Sequence, residues 1–162
     1  MRRISDTYRE NKNMLRAYLD MEFTSLASHA RLISLALVTN DGRELYLELI
    51  DNWQVDDCSG FVRDTVLPKL DLQSHGLTTS KARQRLQSFL AAIAPVEILT
   101  ASPHWDRPLL DWLLGADGLP LNVRMRAIAT TPVSGDDMLE VPHHALADAR
   151  LFAGQVERAC MA

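Results

Sequence analysis

The sequence predicts an α/β fold. One mixed sheet of five strands, an antiparallel three-strand meander continued by parallel strands, is flanked by helices. Three observations predict it. The near-continuous apolar run "RLISLALVT" (31–39) has the composition of a strand buried on both faces. "NDG" (40–42) follows at once, a strong hairpin signal, and "RELYLELI" (43–50) alternates polar and apolar behind it. Further on, helical spacing alternates with short apolar runs, the order that makes parallel crossovers.

Each element has its own justification. "LRAYLDMEF" (15–23) is apolar and ends in polar residues, so it reads as the first strand. With 31–39 and 43–50 it completes the meander. In "CSGFVRDTVLPKL" (58–70), Phe61, Val62, Val66 and Leu70 fall near helical spacing, and Pro68 stops or kinks that helix. "TTSKARQRLQSFLAAI" (78–93) is an amphipathic helix with Thr79 or Ser80 as its cap. Its apolar face is Ala82, Leu86, Phe89, Leu90 and Ile93. "VEILTA" (96–101) is a short strand. "WDRPLLDWLLG" (105–115) is a helix with Pro108 in its first turn and Gly115 just past its end. "NVRMRAIAT" (122–130) is the fifth strand, and "ALADARLFAGQVERACM" (145–161) is a terminal helix.

Bulk properties narrow the function. The 162 residues are 47% hydrophobic and 23% charged, ordinary globular composition that reads as a single domain over 1–162. No apolar run reaches the ~18 residues a membrane span needs. The opening "MRRISDTYRENKNML" has no apolar core behind its charges, so no secretory signal is expected. Cys58 and Cys160 are too few for a disulfide framework and lack metal-ligand spacing. These features point to a cytoplasmic protein that does not engage a membrane. A net charge of −4 argues against a general basic surface for duplex nucleic acid. A metal site would change that locally, because divalent cations neutralise carboxylates and attract phosphate.

The chemistry-bearing residues are acidic. Asp20 and Glu22 are two apart on a strand and so share a face, with Met21 and Phe23 on the other. Like charges so close repel unless a cation lies between them or water solvates both. Asp106 stands between a strand and a helix, where functional residues of open sheets gather, although an Asp just before Pro108 also suits a helix start. Asp148 sits one turn into the last helix among alanines and Leu146, preceded by His143 and His144. His144 and Asp148 are i and i+4 and share a helix face. His143 reaches the same place only from a loop before the helix, which Pro142 allows. Four carboxylates on three segments suit a pair of divalent cations ~3.5–4 Å apart, clamping the attacking and leaving oxygens of phosphoryl transfer. A neutral histidine beside them can take a proton from water.

The element order is that of ribonuclease H-like domains. The motifs "DMEFTSL", "VEILTASPHWD" and "HHALADAR" resemble, in order and spacing, the three motifs of the DEDDh family of 3′-to-5′ exonucleases. Oligoribonuclease, ribonuclease T and the proofreading subunits of bacterial polymerases belong to that family. The resemblance implies two Mg²⁺ or Mn²⁺ ions. Asp20 would bridge them, Glu22 and Asp148 would complete the first shell, and Asp106 would hold the second. It selects His143 as general base through H-x4-D, with His144 the alternative from helix spacing. It places Phe23 and Thr24 near the terminal sugar and Leu26 near the terminal base. Trp105 either packs beneath the second motif or stacks on a base. The implied reaction releases nucleoside 5′-monophosphates from a single-stranded 3′ end, RNA favoured over DNA, and the resemblance also implies a homodimer. Two positions depart from the family pattern: Ala101 where an Asn often stands five before the second-motif Asp, and Ala147 where an acidic residue often precedes the last Asp. The competing readings are a catalytically silent ribonuclease H-like interaction module and a phosphohydrolase for small phosphates.

Overall fold

The computed structural model describes residues 14–129 and 141–161. The charged opening, residue 130 of the expected fifth strand, and Ala162 lie outside them. Three strands form first: β1 (Leu15–Phe23), β2 (Leu32–Thr39) and β3 (Glu44–Leu49). β2 pairs antiparallel with both neighbours, so the meander is as expected. The turn between β2 and β3 carries Gly42 at φ 92°, a conformation that favours glycine.

The chain then crosses in short pieces: α1 (Gly60–Thr65), a 3₁₀ turn at Leu67–Lys69, and α2 (Leu72–His75). Ser59 caps α1 by accepting the Val62 N–H, and Pro68 sits at the start of the 3₁₀ turn. The helix, expected to stop or kink at Pro68, ends at Thr65, and Pro68 lies in the 3₁₀ turn that follows. α3 (Thr79–Ile93) buries Ala82, Leu86, Leu90 and Ile93, with Phe89 half-buried against the same core. Its cap is Thr78, whose hydroxyl accepts the Lys81 N–H, one residue before the expected pair.

β5 (Val96–Thr100) pairs parallel with β1, and β6 (Val123–Ala127) pairs parallel with β5. Between them runs α4 (Pro103–Leu114), which ends at Gly115 with φ 74°. It starts two residues earlier than the sequence suggested. Two prolines compete for the helix start, and Pro103 takes it, leaving Pro108 inside the helix rather than in its first turn. α5 (Ala145–Met161) has the expected bounds.

The sheet has six strands, not five, in the order β4-β3-β2-β1-β5-β6. The addition is β4 (Gly76–Leu77), parallel to β3 through Glu48↔Gly76 and Leu49↔Leu77. Two residues are too few to show a period. Gly76 permits the approach, since a Cβ there would run into the Leu72 carbonyl oxygen.

The two faces of the sheet are covered differently. α3 and α4 pack on one, around Ala17, Leu19, Met21, Leu35, Leu37 and Ile98. α5 lies on the other, where Ala145 and Ala149 meet Ala36 and Val38, and Phe152 meets Tyr18 edge-on at 5.3 Å. Alanines on both partners let the helix come close to the strands. Two ion pairs hold α5 against the sheet: Arg16 with Glu157, and Arg150 with Glu44 at 2.7 Å. Both cysteines are free, Cys58 buried and Cys160 exposed. Among the described residues no helix is long and apolar enough to cross a membrane.

Candidate metal centre

β1 runs on past its parallel neighbour. Its pairing with β5 covers only Leu15 to Tyr18, so Asp20 and Glu22 extend beyond it. On the other side they stay in register with β2, Asp20 opposite Ala36 and Glu22 opposite Ser34. The register then slips between Glu22 and Phe23, where the pairing passes over Ile33 of β2. Into this space α5 brings Asp148. Asp20, Glu22 and Asp148 each offer a carboxylate oxygen, and the three oxygens lie within 4.8 Å of one another.

Electrostatics show what that convergence costs. Burial pushes the Asp20 carboxyl well above its usual range, and Glu22, Asp148 and Asp106 push it further. Glu22 is raised to about 8 by burial and then by Asp148, with Lys69 opposing. Asp148 is raised by burial, against the His144 backbone N–H and the charges of His143 and Lys69. Asp148 Oδ1 is buried without a hydrogen-bond partner among the described residues. Its Oδ2 accepts the His144 N–H at 3.0 Å. An all-carboxylate oxygen donor set with a free buried lone pair fits a hard divalent cation.

Asp106 stands apart from this trio. It lies in the first turn of α4, nearly fully buried, and its Oδ2 accepts the Thr100 hydroxyl. Burial raises its carboxyl to about 6, and the Thr100 hydrogen bond opposes that. It nonetheless adds to the field on both Asp20 and Glu22.

The histidines differ in their attachments. His144 precedes α5 and serves it as a cap: its Nδ1 accepts the Ala147 N–H at 3.4 Å, and its ring lies 4.9 Å from Tyr46. His143 is on the preceding loop in a left-handed backbone conformation, φ 49°, unusual for a residue with a side chain. Its ring meets Phe61 edge-on at 4.9 Å. Around the trio, Leu26 is 77% exposed. Phe23 and Trp105 stack at 5.6 Å, both half-buried. Thr24 is buried, and its hydroxyl accepts the Arg31 N–H at 3.0 Å, which ties the β1–β2 loop.

Two neighbours were not legible as site residues. Glu48 on β3 faces the same side as Glu22, with Ser34 between them in register. It is fully buried; Oε1 accepts the Tyr46 hydroxyl at 2.5 Å and the Asp71 N–H at 3.0 Å. Oε2 has no partner among the described residues. Lys69, on the 3₁₀ turn after α1, donates from Nζ to the Pro142 carbonyl, one residue ahead of His143. In sequence it was one polar position in a broken apolar pattern.

No protein-family model matches the chain, and no curated protein matches it.

Proposed function

We propose that this chain is a metal-dependent 3′-to-5′ exonuclease of the DEDDh type on a ribonuclease H-like domain. In this reading it removes nucleotides from the 3′ end of single-stranded nucleic acid, with RNA favoured over DNA. The observation that carries the reading is the meeting of Asp20 and Glu22 from β1 with Asp148 from α5, at carboxylate distances that suit one shared cation. The strand order and the element sequence agree with the domain type.

Asp20, Glu22 and Asp148 would hold one Mg²⁺ or Mn²⁺ ion, and Asp106, with Asp20, a second. Such ions, when bound, lower the pKa of water and stabilise charge developing on phosphoryl oxygens. The chain's own groups do the rest. His143, on a loop that frees its ring from helix capping, takes the proton of the attacking water. His144 is committed elsewhere, its Nδ1 to the Ala147 N–H and its N–H to Asp148. It therefore orients Asp148 rather than acting as a base. Leu26 stands exposed beside the strand end, available to an unstacked terminal base. Phe23 and Trp105 stack on each other.

The test is direct. The chain is incubated with 5′-labelled single-stranded RNA or DNA and Mg²⁺ or Mn²⁺, beside Asp20→Asn. The expected result is a ladder shortening from the 3′ end, release of 5′-monophosphates, and no ladder from the variant. A folded wild type that leaves both substrates intact contradicts the reading. Hydrolysis of nucleoside triphosphates alone would move the assignment to a small-phosphate hydrolase.

A further inference from the structure

Lys69 acts as a positive charge on both Glu22 and Asp148. Its position is set by three elements. The 3₁₀ turn at Leu67–Lys69 follows α1, whose Val62 and the adjoining Val66 pack with Ile33 and Cys58 on the α5 side of the sheet. From there Nζ reaches across to the Pro142 carbonyl. Phe61, 57% exposed at the start of α1, makes a second crossing to His143. Two contacts, Lys69 with Pro142 and Phe61 with His143, thus join the segment around α1 to the loop that leads into α5 and Asp148.

Lys69 is itself exposed, and a carbonyl is a weak partner for an ammonium beside two carboxylates. Once divalent cations fill the cluster, the attraction that Glu22 and Asp148 exert on Nζ is cancelled. An incoming phosphodiester, anionic and rich in acceptor oxygens, is then the stronger partner. Lysine suits that exchange, as a compact point charge on a flexible stem. The rest of the chain is acidic, so a single well-placed cation contributes a large share of the attraction for a nucleic-acid backbone.

We infer that Lys69 is a substrate-binding residue, moving its ammonium from the Pro142 carbonyl to a non-bridging phosphodiester oxygen at the 3′ end of the strand. This rests on the nuclease reading and deepens it. It makes Lys69 a determinant of affinity, while the carboxylates and His143 determine rate.

The experiment measures binding rather than turnover. Fluorescence anisotropy follows a labelled, hydrolysis-resistant phosphorothioate oligoribonucleotide on wild type, Lys69→Gln and Lys69→Arg, with Mg²⁺ present, across a series of salt concentrations. One lost phosphate contact on a single strand lowers the steepness of log K against log[salt] by about 0.7. Lys69→Gln is expected to show that drop with affinity weakened about 5–10-fold, and Lys69→Arg to retain the wild-type slope. Loss of a merely structural strut would lower the melting temperature or slow turnover and leave the slope alone. A wild-type slope in Lys69→Gln therefore overturns the inference while the labelled-strand assay still stands. A wild type that neither binds nor shortens the strand overturns the nuclease reading, and the inference with it.

Discussion

The two faces of this sheet solve opposite problems with the same strands. On the α3–α4 face, β1 presents Ala17, Leu19 and Met21, which belong to one apolar cluster with Leu86, Leu90 and Leu110. On the α5 face the alternate residues of the same strand are Tyr18, Asp20 and Glu22, joined by Ser34, Tyr46 and Glu48 from the neighbours. The first face gains free energy with every side chain it hides, at ~25 cal/mol per Å² of apolar surface. The second hides carboxylates that repel one another and that water would solvate better. The larger apolar cluster thus lies on the first face, and the α5 face adds smaller ones around Ala36 and Phe152. The α5 face also gathers buried carboxyls whose charged forms are disfavoured, an arrangement that a bound proton or a cation would relieve.

The largest effect should come from breaking the charged face. Asp20→Asn is expected to lower exonuclease turnover by about 10³-fold or more, measured by strand shortening, since it removes a carboxylate that would hold the cation stabilising the developing negative charge. The same change should raise the melting temperature in EDTA, because the carboxyl whose charged form is disfavoured by burial and by Glu22, Asp148 and Asp106 is gone. The apolar face should answer in the opposite way. Leu86→Ala, at a fully buried position of α3, is expected to cost about 2–5 kcal/mol by denaturant melt. Activity per folded molecule should be unchanged.

A pH series sharpens the contrast. Glu22 in the folded chain titrates at about 8, above its ordinary carboxyl value. The native state therefore holds a proton that the unfolded chain releases. The stability tied to that proton is complete below the ordinary glutamate range, about pH 4.5, and is lost as pH rises towards 8. Melting temperature in EDTA should fall over that interval and fall less with saturating Mg²⁺. A flat profile in EDTA would show that the carboxylates are not under strain. Smaller still is the effect of Tyr46→Phe, which removes the hydroxyl that Glu48 accepts. About 1 kcal/mol of stability is expected to go with it. Glu44→Gln, at the exposed pair with Arg150, should change stability by less than about 1 kcal/mol in a thermal melt.

The apolar face was the easier to read. Alternation located β3 and helical spacing located α3, while β1 and β2 were legible as apolar runs. Periodicity missed β4, since two residues have no period, and it misplaced the start of α4, since Pro103 and Pro108 both fit a first turn. On the charged face, Asp20, Glu22 and Asp148 were legible from their spacing and are now seen together. Asp106 sits in the first turn of α4, the helix start that its place before Pro108 suited. Glu48 escaped notice for a physical reason. In "RELYLELI" alternation implies a polar face turned to water, and that face is instead covered, leaving Glu48 fully buried. A polar residue on a strand beside a doubly buried one such as β2 is the signal that could have found it. Lys69 left no such trace, because its partner Pro142 is distant in sequence and the contact exists only in the folded chain.

The measurement that bears most directly on the metal cage is anomalous diffraction from crystals grown with Mn²⁺ and a nucleoside 5′-monophosphate. The account predicts an anomalous peak coordinated by Asp20, Glu22 and Asp148, a second between Asp20 and Asp106, and His143 rather than His144 turned to the phosphate. Density for the nucleotide elsewhere, or no manganese among those carboxylates at saturating concentration, would contradict it.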